Sequence, residues 1–353
     1  MERKNNRENP AGNKVVSFKK WKGTRANITN HGYVLIFSLW AIVIFGFIAL
    51  SFTRNTGIAI KTEITSTERV KNVYAARGAC IYATQMLLLP KKQGKETKSG
   101  KIKKWKKNKD TDASKKGKSG DPWTPSSDPY SVEIGDADCD VFISDEGGKI
   151  NVNKVTDETR DNFIKFLTAY KLEEHTAEII TDSILDWLDE DDLHHVNGAE
   201  KGYYATFPEP YEPKNGPFES LEELTLVKGI TPQIFELLRD HLTIYGMGKI
   251  NVNFASKEVL LYVPTITEEI AKAMIKYRWK RGKIAKIGDL KEIFRYFGII
   301  GADFQKIMNY LTVFDSNYMT INSISSSAKV KNSYKIVVFK SVDHCRIIAA
   351  YPE

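Results

Sequence analysis

The longest apolar run in the chain covers residues 33–52, which contain no charged side chain. An α-helix of that length, rising about 1.5 Å per residue, spans the roughly 30 Å hydrocarbon core of a bilayer. Beyond it, apolar residues recur at three- and four-residue spacings almost to Leu89, which is typical of an amphipathic helix. The pattern therefore predicts one long helix over residues 33–89.

The residues that flank this run predict its orientation. Because basic residues are retained on the cytoplasmic side of a membrane, the amino terminus stays in the cytoplasm and the bulk of the chain is exported. A cleaved secretory signal is the alternative, but the run is longer than a signal core and no small-residue cleavage site follows it. The basic residues before the run are Lys14, Lys19, Lys20, Lys22 and Arg25.

Two regions alternate apolar and polar positions around glycine-containing turns, which is typical of short strands. They cover residues 130–153 and 334–353, and the second predicts a hairpin that turns at residues 341–343. Residues 156–311 between them are helix-rich. The pattern predicts an α+β fold, in which a long N-terminal helix packs on a small antiparallel sheet and a large helical domain is inserted between the strands.

The hexapeptide GKINVN occurs twice, at residues 148–153 and at residues 248–253. Its alternation of Ile and Val with Asn predicts a short strand in each copy. The sequences that follow also resemble each other when Glu174 is aligned with Glu269, which indicates a duplicated unit of a strand and a helical hairpin. The hexapeptide matches no phosphate-binding motif, so we predict a structural joint rather than a ligand loop. A helix-start residue follows each copy: Thr156 and Ser256.

Residues 220–242 and 259–283 have the pattern of helix-hairpin-helix units. In DNA-binding versions, a Gly-apolar-Gly turn brings backbone N–H groups to a phosphate, but the turns at 229–231 and 265–267 each lack at least one of these glycines. A membrane-anchored, competence-type DNA receptor is nevertheless the alternative function. It is kept open by a run of basic residues: Lys272, Lys276, Arg278, Lys280, Arg281 and Lys283.

The charge is distributed unevenly along the chain. Its net charge is +8, but residues 1–129 carry 26 basic and 9 acidic residues, whereas residues 130–353 carry 26 and 35. A basic nucleic-acid footprint is expected on the folded part, and here that part is acidic. Thirteen lysines fall between Pro90 and Asp121, so residues 90–128 are predicted to be a mobile loop. A patch for nucleic acid or anionic lipid is the functional alternative.

Carboxylates are densest just after residue 184. So many acidic groups repel one another unless they are solvated or neutralised by a cation, and oxygen ligands suit Ca²⁺. An EF-hand does not fit, because Leu193 and His194 occupy two of its key positions. The alternatives are a solvated helix end and a zinc hydrolase that uses His194 and His195, which as adjacent residues point in different directions. The predicted calcium ligands are Asp186, Asp189, Asp191, Asp192, Asn197 and Glu200.

Three cysteines are too few for a disulfide scaffold and lack the spacing of a zinc site. Cys139 and Cys345 both lie in strand-like runs and could pair in an oxidising compartment, whereas buried free thiols are the alternative. The chain shows no nucleophile–base pair and no cofactor motif, so we predict a structural protein rather than an enzyme.

Several of these features, taken together, resemble the minor pseudopilin K of type II secretion systems (general secretion pathway protein K family). The resemblance implies cleavage by a prepilin peptidase after Gly32, so that Tyr33 becomes the first mature residue. Phe37 then stands where most pseudopilins have a glutamate, and the lack of that glutamate is characteristic of the K subunit. The matching motifs, in chain order, lie at residues 145–153, 184–192, 197–200, 203–204, 213–218, 220–224, 227–231 and 249–256.

The family resemblance also implies a pilin-like fold with a helical insert of the helix-hairpin-helix or SAM-like type, and bound calcium. The implied function is to form, with minor pseudopilins I and J and other pseudopilins, the tip that initiates the pseudopilus for export of folded proteins across the outer membrane. A single span in the bacterial inner membrane and a soluble domain in the periplasm are expected, with no nucleic-acid partner. The expected segments are a basic leader (1–32), the helix (33–89), the lysine-rich loop (90–128), the first part of the sheet (129–155), the helical domain (156–311) and the second part of the sheet (312–353).

Overall fold

The computed structural model describes residues 31–89, 122–327 and 330–352. The chain divides into two compact units, residues 1–64 and 65–353, which we treat separately. Residues 1–30 of the expected leader and residues 90–121 of the lysine-rich stretch lie outside the described residues. The predictions made for them therefore stay predictions.

The first unit contains the start of helix α1 (His31–Leu88), which continues into the second unit. Its segment Tyr33–Arg54 has a mean hydropathy of 2.6 and no buried part, so it is long and apolar enough to cross a membrane. The predicted helix is confirmed and ends one residue before the expected Leu89. Gly32 and Tyr33, on either side of the expected cleavage point, lie in its first turn.

In the second unit, residues 65–88 of α1 pack on a sheet through a face of small residues. Small side chains let a helix approach a sheet closely, and polar groups at the edge of the contact fix its position. The Asn72 side chain donates to the Val330 carbonyl (2.9 Å), and the Ser325 hydroxyl donates to the Asn72 carbonyl (2.7 Å). The buried small residues on this face are Ala75, Ala76, Ala79, Cys80 and Ala83.

The sheet has five antiparallel strands, numbered along the chain and here listed in spatial order: β1 (Ser126–Ile134), β2 (Ala137–Asp145), β7 (Tyr318–Ser327), β8 (Val330–Lys340) and β9 (Cys345–Pro352). The β8–β9 hairpin confirms the predicted C-terminal turn. Strands β2 and β7 are direct neighbours, paired from Asp138 with Ser326 to Asp145 with Met319. The chain therefore leaves the sheet after β2 and returns to the adjacent position.

The predicted mobile loop extends too far towards the sheet. Strand β1 begins at Ser126, and the Trp123 side chain is buried, stacked on the Tyr130 ring at 4.4 Å between centroids. Pro122 and Pro125 break the alternating pattern around this tryptophan. For that reason the pattern missed a segment that packing holds in place.

Of the two alternatives for Cys139 and Cys345, the structure has free thiols and not the disulfide. Cys139 lies in β2 and Cys345 in β9, with β7 and β8 between them. Three strand spacings of about 4.8 Å place β2 and β9 at least roughly 14 Å apart. The register also puts the two cysteines near opposite ends of the sheet, because Cys139 pairs with Ser325 and Cys345 with Lys340. A disulfide requires Cα atoms within about 7 Å. All three thiols are free, and burial raises the pKa of Cys139 to about 11 and that of Cys80 to about 12, which keeps them protonated.

The insert between β2 and β7 consists of two repeats. Each begins with a GKINVN strand and ends with a Leu-Thr strand that pairs with it in parallel. In the first repeat (residues 148–247), β3 (Ile150–Asn151) pairs with β4 (Leu242–Thr243). In the second (residues 248–314), β5 (Ile250–Asn251) pairs with β6 (Leu311–Thr312).

The helices of each repeat form two hairpins. The elements of the first repeat are α2 (Arg160–Ala169), α3 (Glu174–Leu188), α4 (Lys201–Tyr204), a 3₁₀ turn (Leu221–Leu226) and α5 (Pro232–Leu238). Those of the second repeat are α6 (Lys257–Leu261), α7 (Glu268–Arg281), α8 (Ile287–Tyr296) and α9 (Gly301–Ile307). Each of the four hairpin turns begins with a residue that has a positive φ. The next residue is apolar and packs inwards. The residues with positive φ are Lys171 (64°), Gly229 (87°), Thr265 (70°) and Gly298 (77°).

These turns correct the alignment of the repeats. Lys171 and Thr265 are equivalent, and α3 and α7 each begin three residues later, at Glu174 and Glu268. Equivalent residues in the two helices are thus 94 positions apart, so the alignment of Glu174 with Glu269 is wrong by one residue. Two adjacent glutamates at the start of each helical sequence made the two alignments indistinguishable by sequence alone.

The side-chain amide of the second asparagine in each hexapeptide both donates to and accepts from the backbone of a neighbouring loop, as a paired strand would. The Asn153 side chain donates to the Phe218 carbonyl (2.9 Å) and accepts from its N–H (2.8 Å). Asn253 accepts from the N–H of Ile284 (2.7 Å) and donates to the carbonyls of Ile284 and Val313 (both 3.1 Å). The repeated hexapeptide is therefore a structural joint.

Two buried carboxylates attach the insert to the sheet. Asp145 accepts from the N–H groups of Gly147 (2.7 Å) and Ser316 (2.8 Å), one at each end of the insert. Burial raises its pKa to about 6 despite these hydrogen bonds. Glu146 accepts, at 2.6 Å in each case, from the Lys149 ammonium and from two hydroxyls, those of Thr243 and Thr320. One carboxylate thus contacts both strand β4 of the insert and strand β7 of the sheet.

Candidate metal centre

The acidic cluster forms where helix α3 ends and an irregular loop, residues 189–200, begins. Asp182 and Asp186 lie one turn apart on the same face of α3, and both side chains are buried. Asp189 is the C-terminal cap of the helix. The loop then folds back, so that His195 and Glu200 approach the helix end.

Asp182 already has a positively charged partner. Arg160 donates to both of its oxygens, at 2.6 and 3.0 Å, and the Asn197 backbone N–H and side chain donate at 3.1 and 3.3 Å. Burial alone would raise the pKa of Asp182, but these hydrogen bonds outweigh it and hold the pKa below its ordinary value. Asp182 is therefore a structural anchor for the loop.

Asp186 is enclosed completely. One oxygen, Oδ1, accepts from the His195 backbone N–H (2.9 Å) and from the His195 ring, whose other nitrogen lies 2.9 Å from Asp157. The other oxygen, Oδ2, is buried without a hydrogen-bond partner. Gly198 passes so close that a methyl group placed there would lie 2.7 Å from the Asp186 carboxyl carbon. The tight loop keeps this carboxylate fixed.

Four carboxylate oxygens in the cluster are buried with no partner among the described residues: Asp186 Oδ2, Asp189 Oδ1 and both oxygens of Glu200. Burial, followed by repulsion from neighbouring carboxylates, raises the pKa of Asp189 to about 6 and that of Glu200 to about 7. Unpaired buried carboxylate oxygens are costly. Ligand atoms of Asp186, Asp189 and His195 all lie within 4.8 Å of one another. The carboxylate oxygens of this cluster are hard ligands of the kind that a divalent cation such as Ca²⁺ takes.

The six predicted ligands are not all in this cluster. Asp186 and Asp189 come within 4.8 Å of each other, and Glu200 lies near enough for their charges to raise its pKa. The Asn197 side chain binds Asp182 instead. Asp191 is exposed and caps the Leu193 N–H (2.8 Å), and Asp192 lies near the Asn215 amide (3.5 Å).

His195 was missed as a member of the cluster. It lies nine residues after Asp186 in an irregular loop, so no periodic pattern could have indicated the contact. Lys228, which was also missed, holds the loop by donating to the carbonyls of Asn197 (3.1 Å) and Gly198 (2.9 Å).

The basic run considered for DNA binding is partly committed to other contacts. Arg278 donates to the carbonyls of Val252 (2.6 Å) and Ala255 (3.0 Å) and so belongs to the joint. Lys272 pairs with Glu268 and Lys283 with Asp315, both at 3.3 Å. The remaining basic residues of the run are Lys276, Lys280 and Arg281.

A long helix with an apolar start packs on an antiparallel sheet, and a helical insert lies between neighbouring strands of that sheet. These features define a pilin-like fold with an inserted helical domain. Residues 148–247 match the family model described as "Type II secretion system (T2SS), protein K", and residues 247–312 match a helix-hairpin-helix motif. These two matches meet where the second GKINVN copy begins. The resemblance to the K family is thus confirmed by the match over residues 148–247.

Individual relatives agree with this assignment. The chain is similar to type II secretion system protein K of Pectobacterium carotovorum subsp. carotovorum, with 28% identity over 113 residues, or 30% of this chain and 34% of that protein. It is also similar to the protein K of Aeromonas hydrophila, with 29% identity over 128 residues, or 34% of this chain and 39% of the relative. The matched region thus spans little more than a third of these relatives.

The fold is shared with a solved structure. The chain is similar to a chain of the GspK-GspI-GspJ complex of the type 2 secretion system from enterotoxigenic Escherichia coli, with a TM-score of 0.58 and 16% identity. The match covers 84% of this chain and 99% of that chain. At this identity the likeness establishes the fold.

Proposed function

We propose that the chain is a minor pseudopilin that forms the tip of a type II secretion pseudopilus together with subunits of the I and J type. It initiates assembly of the pseudopilus for export of folded proteins across the outer membrane. The K-family match and the pilin-like fold support the proposal. The single observation that carries it is an apolar stripe on the free face of α1.

This stripe lies opposite the small-residue face that packs on the sheet. Its members are exposed apolar side chains within residues 65–88, at helical spacing along one face: Val70 (54% exposed), Tyr74 (65%) and Ile81 (44%). Exposed apolar residues in a row are typical of a surface that contacts another protein. A helix with one face on its own sheet and an apolar opposite face suits lateral packing against the helices of partner subunits.

We expect the double substitution Tyr74→Asp and Ile81→Asp to abolish co-purification with the I- and J-type subunits of the same organism. Two charges placed in a packed helix interface cost several kcal/mol, because each is buried without a partner. Affinity-tagged full chain in detergent, co-expressed with both partners, provides the measurement. The matched control, Trp279→Asp, changes an exposed aromatic residue of α7 and should retain both partners. Undiminished recovery of the partners with the double variant would contradict the proposed role of the stripe.

We also propose that the mature subunit starts at Tyr33. The basic leader and the apolar span that begins directly after Gly32 support cleavage by a prepilin peptidase, and the span anchors the subunit in the inner membrane with its folded unit in the periplasm. With Phe37 in place of the usual glutamate, the subunit needs no neighbour above it. The helical insert, a bulky addition to a small sheet, suits a subunit that ends the filament.

The acidic cluster is proposed to hold calcium, which would supply the positive charge that its buried oxygens lack. Asp186, Asp189 and Glu200 would hold the ion. His195 has both ring nitrogens beside carboxylates, those of Asp186 and Asp157, so it orients Asp186. The effect is structural, because the helix end and the returning loop are drawn to the same point.

Calcium at a hundred times its dissociation constant is expected to raise the unfolding free energy by about 2.7 kcal/mol, or the melting temperature by roughly 5–10 °C, relative to a chelator. Thermal melting of the full chain in detergent, with calcium and with EDTA, measures the change. Asp189→Asn should reduce it, whereas the exposed Glu133→Gln should not. An identical melting temperature with calcium and with EDTA would refute the calcium proposal and leave the pseudopilin proposal intact.

A further inference from the structure

Helices α7 and α8 of the second repeat form a groove that the proposed function does not use. Its volume is about 330 Å³. Ile293 and Phe297, both partly buried, provide an apolar floor. The rim carries the cations Lys276, Lys280 and Arg281, and Tyr296 of α8, which is 86% exposed.

A comparison of the two repeats shows that the positive charge of this groove is specific to the second repeat. With equivalent residues 94 positions apart, Lys276 and Lys280 of α7 occupy the positions of Asp182 and Asp186 in α3. The first repeat has 9 basic and 20 acidic residues, whereas the second has 12 and 6. The helix face that presents carboxylates in one repeat therefore presents amines in the other.

The cations of the groove have no carboxylate partner among the residues that the structure describes. Their neighbours on α7 behave differently, because Lys272 and Lys283 both form ion pairs. Arg281 lies over the Tyr277 ring, with 5.3 Å between the guanidinium carbon and the ring centroid, and this contact leaves its charge uncompensated. Aromatic and arginine side chains around an apolar floor are enriched at the centres of protein–protein interfaces.

We propose that this groove binds an acidic segment of a partner polypeptide. An aromatic or aliphatic side chain of the segment contacts the floor at Ile293 and Phe297, and flanking carboxylates pair with Lys276, Lys280 and Arg281. The complementarity of charge favours an acidic occupant. The apolar floor also requires an apolar side chain between the acidic groups of the occupant, and a peptide provides both.

A nucleic acid fits this groove less well than a short peptide. A stable duplex contact neutralises many phosphates, but the groove offers three uncommitted cations, and Glu292 is part of its wall. A duplex is also long enough to reach beyond the patch, where the first repeat carries an excess of acidic residues. A short segment contacts the groove alone.

The test uses full-length protein in detergent and two labelled synthetic peptides, followed by fluorescence anisotropy. One peptide has glutamates on both sides of a single phenylalanine, and its twin has glycine in place of phenylalanine. We expect the phenylalanine peptide to bind about tenfold more tightly than the twin. Lys276→Glu combined with Lys280→Glu should weaken its binding at least tenfold.

Matched variants separate the groove from the rest of the chain. Lys101→Glu with Lys103→Glu makes the same charge change in the lysine-rich stretch and should alter binding by less than about threefold. Tyr296→Ala removes the exposed ring on the rim beside the apolar floor and should reduce the preference for phenylalanine, whereas Trp279→Ala should retain it. Trp279 is 85% exposed but lies about 200° around α7 from Tyr277, away from the groove.

Three results would overturn the proposal. The first is no peptide binding at about 1 mM. The second is an equal loss of binding in the lysine-rich control, which would assign the affinity to that stretch. The third is a short DNA duplex that displaces the peptide and is itself lost in the Lys276 and Lys280 variant, which would assign the groove to nucleic acid. Thermal melting of the Lys276 and Lys280, Tyr296 and Trp279 variants should match the wild type, because these side chains lie at the surface. Since none of these outcomes depends on the I- and J-type subunits, they leave the pseudopilin proposal unaffected.

Discussion

Replacement of Glu146 by alanine is expected to lower the unfolding free energy by about 3–5 kcal/mol, which corresponds to a fall in melting temperature of roughly 10 °C. The Glu146 carboxylate accepts from Lys149, Thr243 and Thr320, and all three donors lose their partner at once. Lys149 is itself mostly buried, so its charge is left uncompensated. Thermal and urea unfolding of the full chain measure the loss.

The pH dependence of this loss has a defined sign. Burial acts to raise the pKa of Glu146, but Lys149 and the two hydroxyls outweigh it, so the pKa in the folded state lies below its ordinary value of 4.5. A lowered pKa stabilises the folded state at pH above 4.5, and the contribution is lost as the pH falls through the folded pKa. The difference between wild type and Glu146→Ala should therefore shrink in acid. Glu133→Ala, which removes an exposed glutamate of β1, should show neither effect.

Gly198→Ala is expected to cost about 3 kcal/mol and to eliminate most of the stabilisation by calcium. The added methyl group would overlap the Asp186 carboxylate, which is fully buried and held by His195, so it has no space to move into. Either the loop moves away from α3 or the carboxylate rotates, and both changes separate Asp186 from Asp189. Melting curves with calcium and with EDTA measure both effects.

Gly202→Ala is the matched control for this substitution. Gly202 lies four residues further along, in helix α4, and an added methyl group meets nothing within 4 Å. Its melting temperature and calcium response should equal or slightly exceed those of the wild type, because alanine favours a helix over glycine. A wild-type calcium response in Gly198→Ala would contradict the placement of the ion beside Asp186.

Much of this architecture was predictable because it depends on local pattern. A charge-free run, a continuing apolar periodicity and alternating strands each arise from neighbouring residues, and they led to helix α1 and to the hairpin of β8 and β9. The repeat was also visible, since GKINVN is preserved letter for letter. The Leu-Thr strands that close each repeat were missed, because two residues are too short to show a period.

For the metal centre, the sequence predicted the kind of ligand but not which residues form the site. A density of carboxylates indicated a cation, but the choice among them depends on which already have a partner. Asp182 lies one turn before Asp186 but is neutralised by Arg160, which lies 22 residues earlier and belongs to no motif. The predicted ligand Asn197 donates its side-chain hydrogen bond to Asp182 instead of joining the cluster. Burial and pairing over such separations depend on tertiary packing, which the local sequence does not specify.

The parallel strand pairs that open and close the two repeats have a consequence for how such chains can change. Because β5 lies beside β6, the chain enters and leaves the second repeat at adjacent points, and β3 and β4 do the same for the first. A whole repeat can then be gained, lost or exchanged during evolution with only a short reconnection, while the sheet and its helix keep their register. The inserted helical domain is free to diversify in units of one repeat, as the opposite charges of these two copies already illustrate.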